Sequence, residues 1–173
     1  MTYSLTTDEL ISHTLVCGDR VLLSGIVYTA RDAAHKKIFE LIENGLPLPF
    51  ELKNAVIYYA GPTPAKPGKA VGSCGPTTSS RMDSFAPTLY DLGLCATIGK
   101  GERSRKVTES IVRNKALYLC AVGGAGALIS KHILSSEEIA FEELGCESVK
   151  RMVIHELPLT VATDRTGRSI FDR

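Results

Sequence analysis

Val21-Leu22-Leu23-Ser24-Gly25-Ile26-Val27-Tyr28-Thr29-Ala30 runs straight into Arg31-Asp32-Ala33-Ala34-His35-Lys36-Lys37-Ile38-Phe39-Glu40-Leu41-Ile42-Glu43-Asn44, and this junction decides the fold class. The first segment is apolar and β-branched, which reads as a strand. In the second, Ala33, Ala34, Ile38, Leu41 and Ile42 recur at helical spacing, and Gly45 stops the helix. Outward from this unit the alternation continues. Residues 55–60 read as a short buried strand, and 61–68 hold three prolines and two glycines, which preclude regular structure. A helix over 84–92, a strand over 95–98, a helix over 105–113 and a strand over 116–121 follow. A short helix over 126–133 and strands over 149–155 and 160–163 complete the chain. The order predicts an α/β protein with a mixed sheet and flanking helices.

Composition bounds the function. The 173 residues fit a single domain, 1–173, and 44% hydrophobic content is enough to build a core. A formal net charge of +1 supplies no field for a nucleic-acid backbone, so no nucleic-acid partner is expected. No apolar run approaches the roughly 20 residues that span a bilayer. The N-terminus, with Asp8 and Glu9, lacks the apolar stretch of a secretory signal, and a cytoplasmic location is expected. Cys17, Cys74, Cys95, Cys120 and Cys146 are odd in number and contain no Cys-x-x-Cys pair. Neither a disulfide framework nor a metal site is expected from them or from the four histidines; they read mostly as core fillers.

Gly75-Pro76-Thr77-Thr78-Ser79-Ser80-Arg81-Met82-Asp83 is the richest segment for chemistry, since it sets hydroxyls and a guanidinium in a Gly/Pro loop. An Arg offers a planar fork of donors to a carboxylate or phosphate, and Thr hydroxyls and loop amides can complete the cradle. The competing reading is a helix start, with Thr77, Thr78, Ser79 or Ser80 as N-cap. Lys100, in Gly99-Lys100-Gly101-Glu102-Arg103-Ser104, sits at the carboxyl end of a strand, where ligands of open α/β sheets collect. It also reads as a solvated loop lysine. Arg31 opens a helix at another strand end with His35 one turn on, and an Asp32 or backbone contact is the alternative to a ligand. Gly123-Gly124-Ala125-Gly126 lacks the full dinucleotide pattern, and the 61–69 stretch fails as a phosphate loop because Ala70 follows Lys69.

In combination these segments resemble a known family. Ala30-Arg31-Asp32-Ala33-Ala34-His35, Tyr59-Ala60-Gly61-Pro62-Thr63-Pro64, Gly75-Pro76-Thr77-Thr78, Arg81-Met82-Asp83, Gly99-Lys100-Gly101 with Arg103-Ser104, and Val122-Gly123-Gly124-Ala125 occur in the order of the class I iron-sulfur hydro-lyases. The chain resembles their β subunit, as in fumarate hydratase and L(+)-tartrate dehydratase, or the C-terminal domain of single-chain class I fumarases. Ser79-Ser80 stands where the fumarases often have Ala-Gly or Ser-Gly.

The resemblance implies a swivelling β/β/α fold and half of a shared site. It implies a 4Fe-4S cluster held by cysteines of a partner α subunit, with one iron free for the substrate, and no metal ligand in this chain. The matching positions imply Arg31, Arg81 and Lys100 as cations for a dicarboxylate, with Thr78 beside them. Thr77 is implied as the base, assisted by Lys100. The activity implied is reversible hydration of fumarate to (S)-malate, a tricarboxylic acid cycle step, with tartrate dehydration to oxaloacetate as the alternative. The form of the Gly99 to Ser104 loop favours fumarate. A dicarboxylate-binding or assembly module without catalysis of its own is the reading from another class, and it fits the isolated chain. A homo-oligomer or an αβ heterotetramer is expected.

Overall fold

The computed structural model describes residues 1–122 and 124–172, so Gly123 of the glycine-rich segment lies outside the described residues. Seven strands form one sheet: β1 (Thr2–Thr6), β2 (Arg20–Thr29), β3 (Val56–Tyr58), β4 (Ala96–Gly99), β5 (Leu117–Cys120), β6 (Ile133–Ala140) and β7 (Val149–Thr163). β2, β3, β4 and β5 run parallel to their neighbours, while β7 returns antiparallel to both β5 and β2. That double pairing closes five strands, β2-β3-β4-β5-β7, into a barrel. β1 extends one edge in parallel with the first half of β2, and β6 pairs antiparallel with β7 outside the ring.

The strands alternate sides, and the alternation sorts the core into two layers. Val56, Tyr58, Ala96, Ile98, Leu117 and Leu119 belong to one cluster, together with Val21, Leu23, Leu157, Leu159 and Val161, and fill the barrel. Their neighbours Ile57, Tyr59, Tyr118 and Ala162 face outward. They pack against α1 (Asp32–Glu43), α2 (Ala86–Asp91) and α3 (Arg105–Asn114) through Ala34, Ile38, Leu89, Tyr90, Val107 and Ile111. A fourth, short helix, α4 (Gly126–Ile129), follows β5. The mixed sheet with flanking helices is as the sequence predicts.

Several boundaries differ. Thr77, Thr78, Ser79 and Ser80 cap no α-helix: residues Ser79–Met82 form a 3-10 turn, and α2 begins later, after Phe85, without a side-chain cap. The helix expected over 126–133 breaks after α4 into a 3-10 turn, Ser130–His132, and Ile133 already belongs to β6. The two C-terminal strands are one fifteen-residue strand. It bends at Glu156, whose φ of 48° is left-handed, next to a register shift opposite Gly25. The cysteines are not uniformly core fillers. Cys74 is buried, but Cys146 is exposed and the other three are half-buried.

Candidate active site at the carboxyl ends of β2, β3 and β4

Arg31 is the N-cap of α1, immediately past β2, and Lys100 immediately follows β4. Between them the chain from β3 makes a long excursion and comes back to the same end of the sheet. On return, the Thr77 amide donates to the Tyr59 carbonyl at 2.7 Å and the Ser79 amide to the Lys100 carbonyl at 2.9 Å. Thr78 and Lys100 thereby form an isolated parallel bridge. The loop is thus a short wedge of strand inserted where β3 and β4 diverge. Gly99 makes room for it, because a Cβ there would meet Ser79 Oγ at 1.9 Å and Tyr59 Cδ2 at 2.9 Å.

The wedge turns into the 3-10 helix that carries Arg81. Arg81 Nε and Nη2 donate to Asp32 Oδ2 at 3.0 and 2.5 Å, joining this turn to the start of α1. The Asp32 contact expected for Arg31 is therefore made by Arg81. Arg31 lies 3.8 Å from Glu147 Oε1, too long for a hydrogen bond, and its buried Nε has no hydrogen-bond partner among the described residues. A Cβ on Gly61 would lie 3.2 Å from Arg31 Nη1, so the glycine after Ala60 gives this side chain its berth. Lys100 is half-buried, and among the described residues its ammonium makes no ion pair. Thr77 is half-buried and Thr78 exposed. All five predicted residues therefore gather at one end of the sheet, on elements tied by these contacts.

Sequence reasoning missed the residue that braces the site. Arg103 is a conspicuous motif member, but its side chain is 1% exposed. It donates to Asp83 Oδ1 at 2.7 Å, to Thr97 Oγ1 at 3.1 Å and to the Tyr59 hydroxyl at 3.2 Å. The guanidinium also lies over the Tyr59 and Tyr118 rings, 5.2 and 4.9 Å from their centroids. Asp83 Oδ2 accepts from the Ser104 amide at 2.7 Å. The pair thus staples the end of the Arg81 turn to the loop after Lys100. The signal available was chemical: an arginine two residues past a Gly-Lys-Gly turn, with an aspartate in the partner motif. Tyr118 adds a second tie, donating to the Gly101 carbonyl at 2.7 Å and lying 2.8 Å from Ser79 Oγ.

His35 is fully buried, and its Nδ1 lies 2.8 Å from the Arg31 carbonyl. A carbonyl can only accept, so Nδ1 carries the proton and Nε2 is a bare acceptor, without a partner among the described residues. Burial pushes its pKa down to about 4, with the Arg103 charge acting in the same direction. The imidazole is neutral and packs near Tyr59 and Phe85. It is part of the frame beneath Arg31.

Burial raises the pKa of Cys74 to about 12 and of Cys95 to about 11, so these two thiols are protonated at neutral pH, while Cys146 is exposed. Among the described residues no group of three or more His, Cys, Asp or Glu is arranged to hold a metal ion. A separate concavity of ≈ 570 Å³ lies across the 63–73 loop, lined by Lys66, Lys69, Val71, Lys131 and Ile133, and includes none of the five predicted residues. No described helix is long and apolar enough to cross a membrane.

Residues 3–173 match the family described as Fumarase C-terminus. The chain belongs to this family. It is 39% identical over 158 residues to fumarate hydratase 2 of Leishmania major, covering 90% of this chain but only 28% of that protein. To the putative L(+)-tartrate dehydratase subunit beta of Methanocaldococcus jannaschii it is 37% identical over 164 residues, covering 91% of this chain and 84% of that protein. The L(+)-tartrate dehydratase subunit beta of Escherichia coli is 33% identical over 158 residues, with 88% and 77% covered. This Fumarase C-terminus chain therefore spans little more than a quarter of the fumarate hydratase it matches and most of the length of the two beta subunits.

Proposed function

We propose that this chain is the β subunit of a hydro-lyase that reversibly hydrates fumarate to (S)-malate. The observation that carries the reading is the gathering of Arg31, Arg81, Lys100 and Thr77 at the ends of β2, β3 and β4 in a chain of this family. On this reading residues 1–173 are one domain of the swivelling β/β/α type, which supplies half of a site. The half is cationic, and the substrate is a dicarboxylate. Arg31 and Arg81 hold the carboxylate next to the carbon that loses its proton. Removing that proton builds charge on an already charged group, and fixed donors in a site closed to water absorb it best. Thr77 Oγ receives the proton. A hydroxyl is a poor base, so Thr77 depends on the Lys100 ammonium and the Arg81 guanidinium to stabilise its alkoxide.

The 4Fe-4S cluster of this class is assigned to a partner α subunit, since among the described residues no three metal-ligating side chains are gathered to hold one, and no step here runs through it. Alone, the chain binds a dicarboxylate weakly and turns nothing over. An αβ pair, doubled into a heterotetramer or a larger homotypic assembly, is the working form, in the cytoplasm. Tartrate dehydration to oxaloacetate is the second reading. It is favoured by the lengths of the relatives, because the proteins that this chain nearly spans are named tartrate dehydratase subunits. Malate, fumarate and tartrate turnover by the reconstituted pair separates the two: malate and fumarate interconversion supports the first, and a large excess of tartrate turnover overturns it.

A further inference from the structure

We propose that Asp32 is a positioning residue that holds the Arg81 guanidinium and sets its spacing from Arg31. The proposal rests on the site reading above and adds to it a residue that touches no substrate. Both Arg81 contacts go to one oxygen of Asp32, through Nε and Nη2. A planar fork held along that edge cannot swing, yet among the described residues Nη1 has no partner, and the side chain is half-exposed. Substrate can therefore meet Arg81 without displacing Asp32.

The carboxylate is itself anchored. Asp32 is the first residue of α1, where the positive end of the helix dipole favours a negative charge. Its other oxygen, Oδ1, is buried and has no hydrogen-bond partner among the described residues, so none of them diverts the group from Arg81. His35, one turn on, has its proton turned to the Arg31 carbonyl and does not compete for it. Because Asp32 follows Arg31 in the chain, one ion pair fixes the element that carries the first cation to the turn that carries the second. It also offsets the repulsion between two arginines brought together in the absence of a dianion.

The test uses kinetics of the assembled enzyme and a readout from this full chain that is independent of activity. In the assembled enzyme, Asp32→Ala is expected to lower kcat/KM for malate about a hundredfold, the scale of a misplaced binding group, with KM rising. Asp32→Asn retains an acceptor oxygen and should recover at least tenfold of that loss. In the 15N-labelled chain, the Arg81 Nε–H signal should exchange with solvent more slowly than that of the exposed Arg20, and lose this protection in Asp32→Ala. Unchanged kcat/KM in a folded Asp32→Ala enzyme, or a fall in KM showing that Asp32 merely competed with substrate, overturns the proposal. Should Asp32→Ala fail to fold, Asp32→Asn and the wild-type exchange rate still decide, and an Arg81 Nε–H as unprotected as that of Arg20 contradicts it. Full activity of Arg81→Ala would overturn the site reading itself, and this proposal with it.

Discussion

At the residue scale, the same side-chain type does opposite work at Arg81 and Arg103. Arg81 is half-exposed and partly uncommitted, whereas Arg103 spends its donors on Asp83, Thr97 and Tyr59 inside the protein. Arg81→Ala should abolish most turnover while leaving the midpoint of urea unfolding within about 1 kcal/mol of wild type, because exposed ion pairs contribute little. Arg103→Ala should cost about 3–5 kcal/mol by the same measurement, since it strands a partly buried carboxylate and two hydroxyls. His35 adds a pH dependence. Between pH 6.5 and about 4 the unfolded chain takes up a proton on this residue and the folded chain does not, so stability falls as pH falls through that window. The loss amounts to roughly 3 kcal/mol once both limits are passed. His35→Asn keeps a donor for the Arg31 carbonyl and should flatten the dependence. An unchanged slope between pH 6.5 and 4 would refute the buried neutral imidazole.

At the scale of elements, strand ends and helix starts place the chemistry. The apolar runs before Tyr59 and Gly99 were readable as strands because both of their faces are buried, in the barrel on one side and under helices on the other, and the run before Ala30 because it is long and β-branched, with one face buried and the other half-buried. β1 and β6 were not, since Leu5 is the one buried residue of β1 and the Ser135 to Glu138 stretch of β6 is an exposed edge. Period-two patterning fails on such strands, which are held by backbone pairing. β7 was read as two strands because Pro158 and the left-handed Glu156 interrupt it, although pairing with β2 continues on both sides. The loop over 75–83 was readable as irregular but not as a wedge of strand, because its two anchoring bonds run from backbone to backbone and leave no mark on side-chain pattern. Gly99→Ala should disturb that wedge. The methyl would need Ser79 and Tyr59 to move, and a loss of about 1–3 kcal/mol in thermal or urea unfolding is expected. A fully stable, fully active Gly99→Ala enzyme would contradict the close packing.

At the scale of the whole molecule, closure of the barrel decides what faces outward. β7 completes the ring and, just past it, Arg165 reaches the carbonyls of Leu10, His13 and Lys115, tying the C-terminal turn to the N-terminal segment and to the end of α3. The scaffold is therefore cross-braced away from the cationic end. Which residues gather there could be inferred from motif order. That Asp32, Asp83 and Arg103 brace them could not, since those contacts join residues 49 and 20 positions apart and arise only when the sheet closes. The proposed half-site also has a consequence for activity. The purified chain, folded and free of partner, should bind a dicarboxylate weakly and show no turnover.

The most direct measurement is anaerobic turnover of malate, fumarate and tartrate by this chain co-purified with a cysteine-bearing α subunit and loaded with iron and sulfide. Interconversion of malate and fumarate that requires both chains and is lost in Arg81→Ala is the expected result. Equal turnover by the β chain alone, or by a complex carrying Arg81→Ala, would contradict a shared site built on the ends of β2, β3 and β4.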